Sequence, residues 1–299
     1  MKGIDISEHN GIIDFSKVAK EVDFVMIRAT FGKKEDKAFR RNAKGCIENG
    51  IPFGFYYYSY ALDETYAKEE VAFFLKAVSE FKGQITFPLA IDMEDSDKYK
   101  EKNGFPTKEI LCNICRIGSE EIAKAGYIPI IYASLYYFTK YLNDVSLDKY
   151  YKWVAWWTKE AIEKVEKTKY QMLQYSKLGQ INGIGGNVDI NESFTEFHKL
   201  IKYIDNLKKM QEIKLYTGIE DITIQFISLY KFGEFLLNKI YERVKEPRKI
   251  KDKAKDIHKV VKEEYCLEDK TIKYMESYIY AEHLFLKLYR AICENEEKE

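Results

Sequence analysis

The stretch "FPLAIDMEDSD", Phe87–Asp97, is apolar from Phe87 to Ile91 and then ends in carboxylates: Asp92, Glu94, Asp95 and Asp97. A run that is apolar on both faces reads as a parallel strand covered on each side. Its abrupt acidic end has two explanations. Either the chain has reached solvent, or Asp92 and Glu94, two apart on an extended strand, point the same way into a shared site. Carboxylates crowded at a buried strand end raise each other's pKa. An Asp-x-Glu pair alone does not separate these readings, so the rest of the chain must decide.

Working outward, seven further β-prone segments share this texture: "KGIDIS" (2–7), "DFVMIRAT" (23–30), "PFGFYYYSY" (52–60), "IPIIYAS" (128–134), "YKWVAWW" (151–157), "YQMLQYS" (170–176) and "NVDIN" (187–191). With 86–92 they make eight short strands. Helical patterns separate them over roughly Lys37–Asn49, Glu64–Phe81, Thr107–Ala125 and Leu135–Leu142. Thr107 is placed to N-cap its helix, and Gly50 and Gly126 sit where helices should stop. From Tyr151 the intervals shorten and helices fade. The fold class expected is α/β, an irregular TIM-like (β/α) barrel of eight parallel-type strands.

After Glu192 the texture changes. A closing helix is expected to run into a polar connector at 205–217, followed by helices over roughly Ile219–Lys245, Arg248–Tyr265 and Asp269–Glu294. Ile219, Ile222, Phe226, Tyr230, Leu237, Ile240 and Val244 recur at helical spacing. Pro247 and "CLEDK" are the expected breaks, and the lysine-rich "RVKEPRKIKDKAKD" reads as a solvated helix face. The organisation expected is a barrel over 1–204, the connector, and a small all-α domain over 218–299. Tyr278, Phe285, Leu286 and Tyr289 look more than so thin a bundle can bury, which points to targeting or self-association by this domain.

The 299 residues are 46% hydrophobic and 32% charged, which suits a folded chain rather than a disordered one. Lys+Arg and Asp+Glu are both 48, so no bulk charge favours nucleic acid or an anionic membrane. No apolar run approaches the ~20 residues that cross a bilayer, so no membrane insertion is expected. Cys46, Cys112, Cys115, Cys266 and Cys293 are irregularly spaced and read as reduced thiols. "MKGIDISEHNG" carries no signal-peptide pattern, so the expectation is a chain made in the cytoplasm.

Barrels of this kind place their chemistry at the C-terminal ends of the strands. Asp5 ends the first strand, Asp92 and Glu94 the fourth, and Asp189 lies in the eighth, which closure makes a neighbour of the first. Tyr56, Tyr58, Tyr132, Trp156 and Trp157 flank them. Carboxylates in an aromatic cleft suit cleavage of glycosidic bonds, where one acid must stay protonated to serve the leaving oxygen. Four carboxylates would also suit Mg²⁺ or Ca²⁺, but no histidine falls at ligand spacing, and neither metal nor cofactor is expected. His9, isolated in a loop, reads as a hydrogen-bonded or solvated residue. Arg28 is either a neutraliser of the acids or a buried ion-pair partner.

In order along residues 1–204, "GIDISEHNGIIDF", "FVMIRAT", "GIPFGFYYYSYA", "LAIDMED", "GYIPIIYAS" and "QYSKLGQINGIGGNVDIN" resemble the glycoside hydrolase family 25 lysozymes. The resemblance implies a distorted barrel that cuts peptidoglycan at the β-1,4 bond between N-acetylmuramic acid and N-acetylglucosamine, with retention. It implies Glu94 as general acid and Asp92 as second carboxylate, either as nucleophile or as the group that orients the substrate's own N-acetyl. Asp5 and Asp189 match the remaining acids, and Tyr58, Tyr132, Trp157 and Gln174 fall on motif positions near the sugars. Trp157 stands where the commoner pattern has Tyr, and Phe31 where many members carry an acid. The setting implied is a phage or prophage endolysin that reaches the bacterial cell wall through a holin or on lysis. A wall-binding scaffold on an inactive barrel is the contrasting class, but all four acids are present.

Overall fold

All eight expected strands form, and a two-residue ninth hairpins off the second. In this computed structural model, which describes residues 1–230, 232–245 and 256–293, the strands are β1 (Lys2–Ile6), β2 (Phe24–Phe31), β3 (Lys34–Glu35), β4 (Phe53–Tyr58), β5 (Leu89–Asp92), β6 (Pro129–Ser134), β7 (Tyr151–Ala155), β8 (Met172–Gly179) and β9 (Val188–Ser193). Their order is β1-β9-β8-β7-β6-β5-β4-β2-β3, and pairing of β1 with β2 closes eight of them into a barrel. Parallel pairing runs from β1 through β2, β4, β5, β6 and β7 to β8. β9 corrects the parallel expectation, because it is antiparallel to both β8 and β1. Only residues 180–187 join β8 to β9, fewer than the dozen or so that a parallel crossover needs.

Helices α1 (Phe15–Val18), α2 (Phe39–Glu48), α3 (Glu64–Val78), α4 (Tyr99–Lys102), α5 (Lys108–Lys124), α6 (Leu135–Lys140) and α7 (Ala161–Lys164) occupy the connections. Asp63, Thr107 and Ser134 accept from backbone amides three residues on, so α3, α5 and α6 start where side-chain oxygens cap them. Helices α2 and α5 end before Gly50 and Gly126, both left-handed at φ 66° and 91°. Outward side chains of the strands and inward faces of these helices form one continuous apolar layer.

A second cluster fills the barrel itself, with Phe24, Met26, Phe87, Ile130, Trp153, Met172 and Phe197 buried in it. Phe24 stacks on Phe87 at 4.4 Å, and Phe197 meets Phe87 at 5.8 Å, near the strands' N-terminal ends. Each such ring contributes roughly 1.5–3 kcal/mol of burial. The plug closes one end and leaves the other for polar groups.

The chain divides into two compact units, Met1–Ile201 and Lys202–Glu299. The expected connector at 205–217 is instead helical, part of α8 (Phe197–Thr217). Leu, Lys, Met, Gln and Glu are good helix formers, and no Gly or Pro interrupts them before Gly218. The three expected helices appear, among the described residues, as α9 (Asp221–Leu229), α10 (Gly233–Lys245), α11 (Ile257–Glu264), α12 (Asp269–Glu276) and α13 (Ala281–Ile292). The first break falls between Leu229 and Gly233, which opens α10 and where an added Cβ would lie 2.2 Å from the Ile227 carbonyl oxygen. The other splits "SYIY", which is rich in weak helix formers. Pro247 and residues 246–255 of the lysine-rich stretch lie outside the described residues. Tyr278 and Phe285 are buried after all, whereas Leu229, Phe235 and Ile279 are exposed.

Candidate active site

Strand register brings the chosen side chains together at the open end. Tyr58 lies beside Asp92 across β4 and β5, and Asp92 beside Tyr132 across β5 and β6. Asp5 faces Asp189 across β1 and β9. A cleft of about 660 Å³ is lined by Asp5, Asp92, Glu94 and Asp189, and also by Tyr58, Tyr132, Trp157 and Gln174. Trp156 is the exception among the flanking aromatics, since it packs into the outer apolar layer. Neighbours on an extended segment face opposite ways, so the inward set is Trp153, Ala155 and Trp157. Trp153 lines the cleft, and the alternation counted back from Trp157 was the signal for it.

Two amides hold Asp5. Gln174 Nε2 and Asn191 Nδ2 both donate to Asp5 Oδ2 at 2.8 Å. Their orientation is fixed from behind. Tyr132 Oη and Trp157 Nε1 donate to Gln174 Oε1 at 3.0 and 2.9 Å, and Trp153 Nε1 donates to Asn191 Oδ1 at 2.8 Å. Each amide oxygen is thus occupied by ring donors, which leaves its NH₂ for Asp5. Burial first, then the Asp189 charge, push the Asp5 carboxyl up to about 8 despite the two amides. With Oδ2 accepting two hydrogen bonds, the proton belongs on Oδ1, and Asp5 hydrogen-bonds Asp189. Tyr132 and Gln174 are themselves buried, so they brace Asp5 more than they face the cleft.

Asp92 is 4% exposed, and its Oδ1 is buried with no hydrogen-bond partner. Burial, reinforced by Glu94, holds its carboxyl well above the usual range. Glu94 is more open, and burial raises its pKa too, against a hydrogen bond from Ser96 and the charge of Lys100. Both carboxyls are thus raised mainly by burial, and the Glu94 charge adds to the rise at Asp92.

Around them, Tyr60 Oη donates to Asp97 Oδ2 at 2.8 Å and Tyr58 Oη to Asp97 Oδ1 at 3.3 Å. Trp157 is 50% exposed, with Lys177 Nζ 4.6 Å from its ring centre. Arg28 binds Asp36 through Nε at 2.8 Å and reaches Glu8 at 3.8 Å, so it is an ion-pair partner that also lines the cleft. His9 is exposed at the rim, in a short 3-10 turn. Among the described residues, no group of three or more His, Cys, Asp or Glu could hold a metal ion. Asn191, Lys100 and Glu70 were missed in the sequence. Asn191 alone carried a signal, standing two residues past Asp189 on the same strand face.

A model of the glycosyl hydrolases family 25 matches residues 4–184. The protein YegX of Escherichia coli K12 is 28% identical over 217 residues, which span 69% of this chain and 74% of YegX. An autolytic lysozyme of Clostridium acetobutylicum is 29% identical over 64% of this chain and 55% of its own. Among solved structures, the modular autolysin LytC of Streptococcus pneumoniae in complex with a synthetic peptidoglycan ligand superposes with a TM-score of 0.58 at 30% identity, covering 64% of this chain and 46% of LytC. The match therefore spans less than half of LytC.

Proposed function

The chain belongs to glycosyl hydrolases family 25, and from that membership we propose that its barrel hydrolyses bacterial peptidoglycan at the β-1,4 bond between N-acetylmuramic acid and N-acetylglucosamine, with retention. The observation that carries this reading is the Asp92–Glu94 pair: two carboxyls raised by burial at the mouth of an aromatic cleft, one with a buried oxygen that accepts no hydrogen bond from the described residues. An acetamido N–H donating to Asp92 Oδ1 would favour the ionised form of Asp92. With Asp92 ionised, Glu94 keeps its proton and gives it to the leaving oxygen as general acid. Asp92 stabilises the positive charge that develops on the sugar and orients the acetamido group as internal nucleophile. Asp5 and Asp189 keep a second proton and a second charge beside the pair. Trp157 offers an exposed ring face to a sugar.

For the helical unit we propose wall targeting, which raises effective concentration at an insoluble substrate without touching the chemistry. The exposed Leu229, Phe235 and Ile279 support it. The setting we propose is a phage or prophage endolysin released onto the wall, on the resemblance alone. The deciding experiment compares wild type and Glu94→Gln on purified walls, with mass analysis of the fragments. Lysis falls by ~10²–10⁴-fold in Glu94→Gln, and Asp92→Asn is also severely impaired. New reducing ends are muramic acid. Freed stem peptides with intact glycan would refute the reading.

A further inference from the structure

Lys100 is fully buried, and its surroundings are unusual for a lysine. Its Nζ donates to the main-chain carbonyl of Ser59 and to that of Glu94, the latter at 2.8 Å, and lies 5.6 Å from the centre of the Tyr58 ring. Ser59 follows β4 and Glu94 follows β5. The ladder between these strands ends with Ser59 N–H donating to the Asp92 carbonyl at 3.0 Å. Beyond that point the ammonium replaces the ladder and ties the two strand ends together.

The loop that delivers Lys100 is itself pinned. Asp95 accepts from the amides of Lys100 and Glu101 at 2.7 and 2.9 Å, and Asp97 from that of Tyr99 at 3.1 Å. Lys98 takes a left-handed conformation, φ 61°, which turns the chain back toward the cleft. A buried ammonium is unfavourable unless charge compensates it. Burial lowers the Lys100 pKa, and the carboxyls of Asp92, Glu70, Asp95 and Asp97 oppose that fall. Glu70 is wholly buried, accepts from Ser59 Oγ and the Tyr60 amide at 2.7 Å each, and is pushed up to about 7 by burial.

We propose that Lys100 is a positioning residue of the reaction, whose ammonium fixes the main chain that carries Glu94 and lets the Asp92–Glu94 pair hold one negative charge. The proposal rests on the reading of Glu94 and Asp92 given above. Six acidic residues, Asp5, Glu8, Asp92, Glu94, Asp97 and Asp189, border one cleft. Arg28 also favours ionised Asp92, and Lys177 ionised Asp189, but Lys100 is the cation that acts on both Asp92 and Glu94. Lys100 favours the ionised form of both members of the pair. Removing it therefore raises both, in the same direction.

Loss of activity on acidification reports protonation of Asp92, and loss on alkalisation reports deprotonation of Glu94. Both limbs of the pH profile must then move to higher pH when Lys100 is neutralised. The test is kcat/KM of the full chain on soluble glycan fragments between pH 4 and 9, for wild type, Lys100→Met, Lys100→Gln, Lys100→Arg and Glu94→Gln. Lys100→Met moves both limbs up by about one unit and lowers activity at the wild-type optimum by ~10-fold. Lys100→Arg keeps the limbs near their wild-type positions. Unmoved limbs in Lys100→Met, with activity lowered uniformly, would reduce Lys100 to a structural brace and overturn the proposal. Where Lys100→Met fails to fold, Lys100→Gln, which keeps a donor for the carbonyls but no charge, decides by the same limbs. An active Glu94→Gln sinks the reading of the site itself, whereas an inactive one with unmoved Lys100→Met limbs sinks only this inference.

Discussion

Asp5→Asn should stabilise the barrel, and increasingly so as pH rises toward 8. Asp5 is buried, its carboxyl raised from 3.8 to about 8. The folded protein therefore keeps a proton that the unfolded chain gives up above about pH 4. Between those values the native state binds more protons than the unfolded state, so this group's contribution falls as pH rises, and it levels off above about 8. The slope is at most ~1.4 kcal/mol per pH unit, giving a ceiling of about 4 kcal/mol at pH 7. Asparagine is neutral at every pH. Its carbonyl still accepts from Gln174 and Asn191, and its NH₂ still faces Asp189, so the geometry is kept and the ionisation cost is gone. Converted at about 2–4 °C per kcal/mol for a unit of this size, the ceiling is on the order of 10 °C. The assay is thermal unfolding of both proteins from pH 4 to 9, followed on the barrel transition. The gap in Tm should be small at pH 4, widen to about pH 8 and then stay constant. Parallel curves would mean that Asp5 carries no proton in the folded state and would refute the assignment of its hydrogen bonds.

Trp157→Ala removes a half-exposed ring at the cleft edge. KM should rise by ~5–10-fold with kcat within about twofold, the loss of roughly 1 kcal/mol of stacking; an equal fall in kcat would show that the ring acts on Gln174 and Asp5 instead. In the helical unit, buried Tyr265 Oη donates to the Leu288 carbonyl at 2.9 Å. Tyr265→Phe should lower that unit's stability by about 1 kcal/mol in urea unfolding, because it removes a buried hydrogen bond to a helix carbonyl; an unchanged midpoint would show that the helix's own bond suffices for Leu288.

Most of the barrel was legible because its signal is local. Continuous apolar runs and the acids at their ends place eight strands and four site residues without any tertiary information. Period-two alternation also held the choice between Trp153 and Trp156, once Trp157 is taken as inward. The direction of β9 was legible as well, through a connection too short for a crossover. What the chain could not disclose depends on contacts between distant segments. Lys100 looks like any lysine in "DKYKEK", and only the folded loop sends its ammonium to Ser59 and Glu94. Tyr132 and Gln174 match sugar-site motif positions and line the cleft, but only the folded barrel shows that Gln174 holds Asp5 and Tyr132 holds Gln174. The helical unit was less legible, because its breaks depend on one close backbone approach at Gly233 and on a run of weak helix formers.

The same residues set stability and activity against each other. Asp5, Asp92, Glu94 and Glu70 are each raised by burial, so each ionisation weakens the fold as pH rises through its own range. An amide replacement at Asp5 relieves that cost, whereas loss of Asp92 or Glu70 would leave the Lys100 ammonium with less compensating charge. Acids raised by burial at one cleft, at a cost to the fold, are therefore an argument from energy for chemistry there. A scaffold that only bound glycan would gain from hydrogen-bonding amides and aromatic faces, and would have no use for acids raised by burial. The two amides that donate to Asp5, and the three ring donors that orient those amides, point the same way. They commit Asp5 Oδ2 to the two amides, so that the proton of this carboxyl lies on the side facing Asp189.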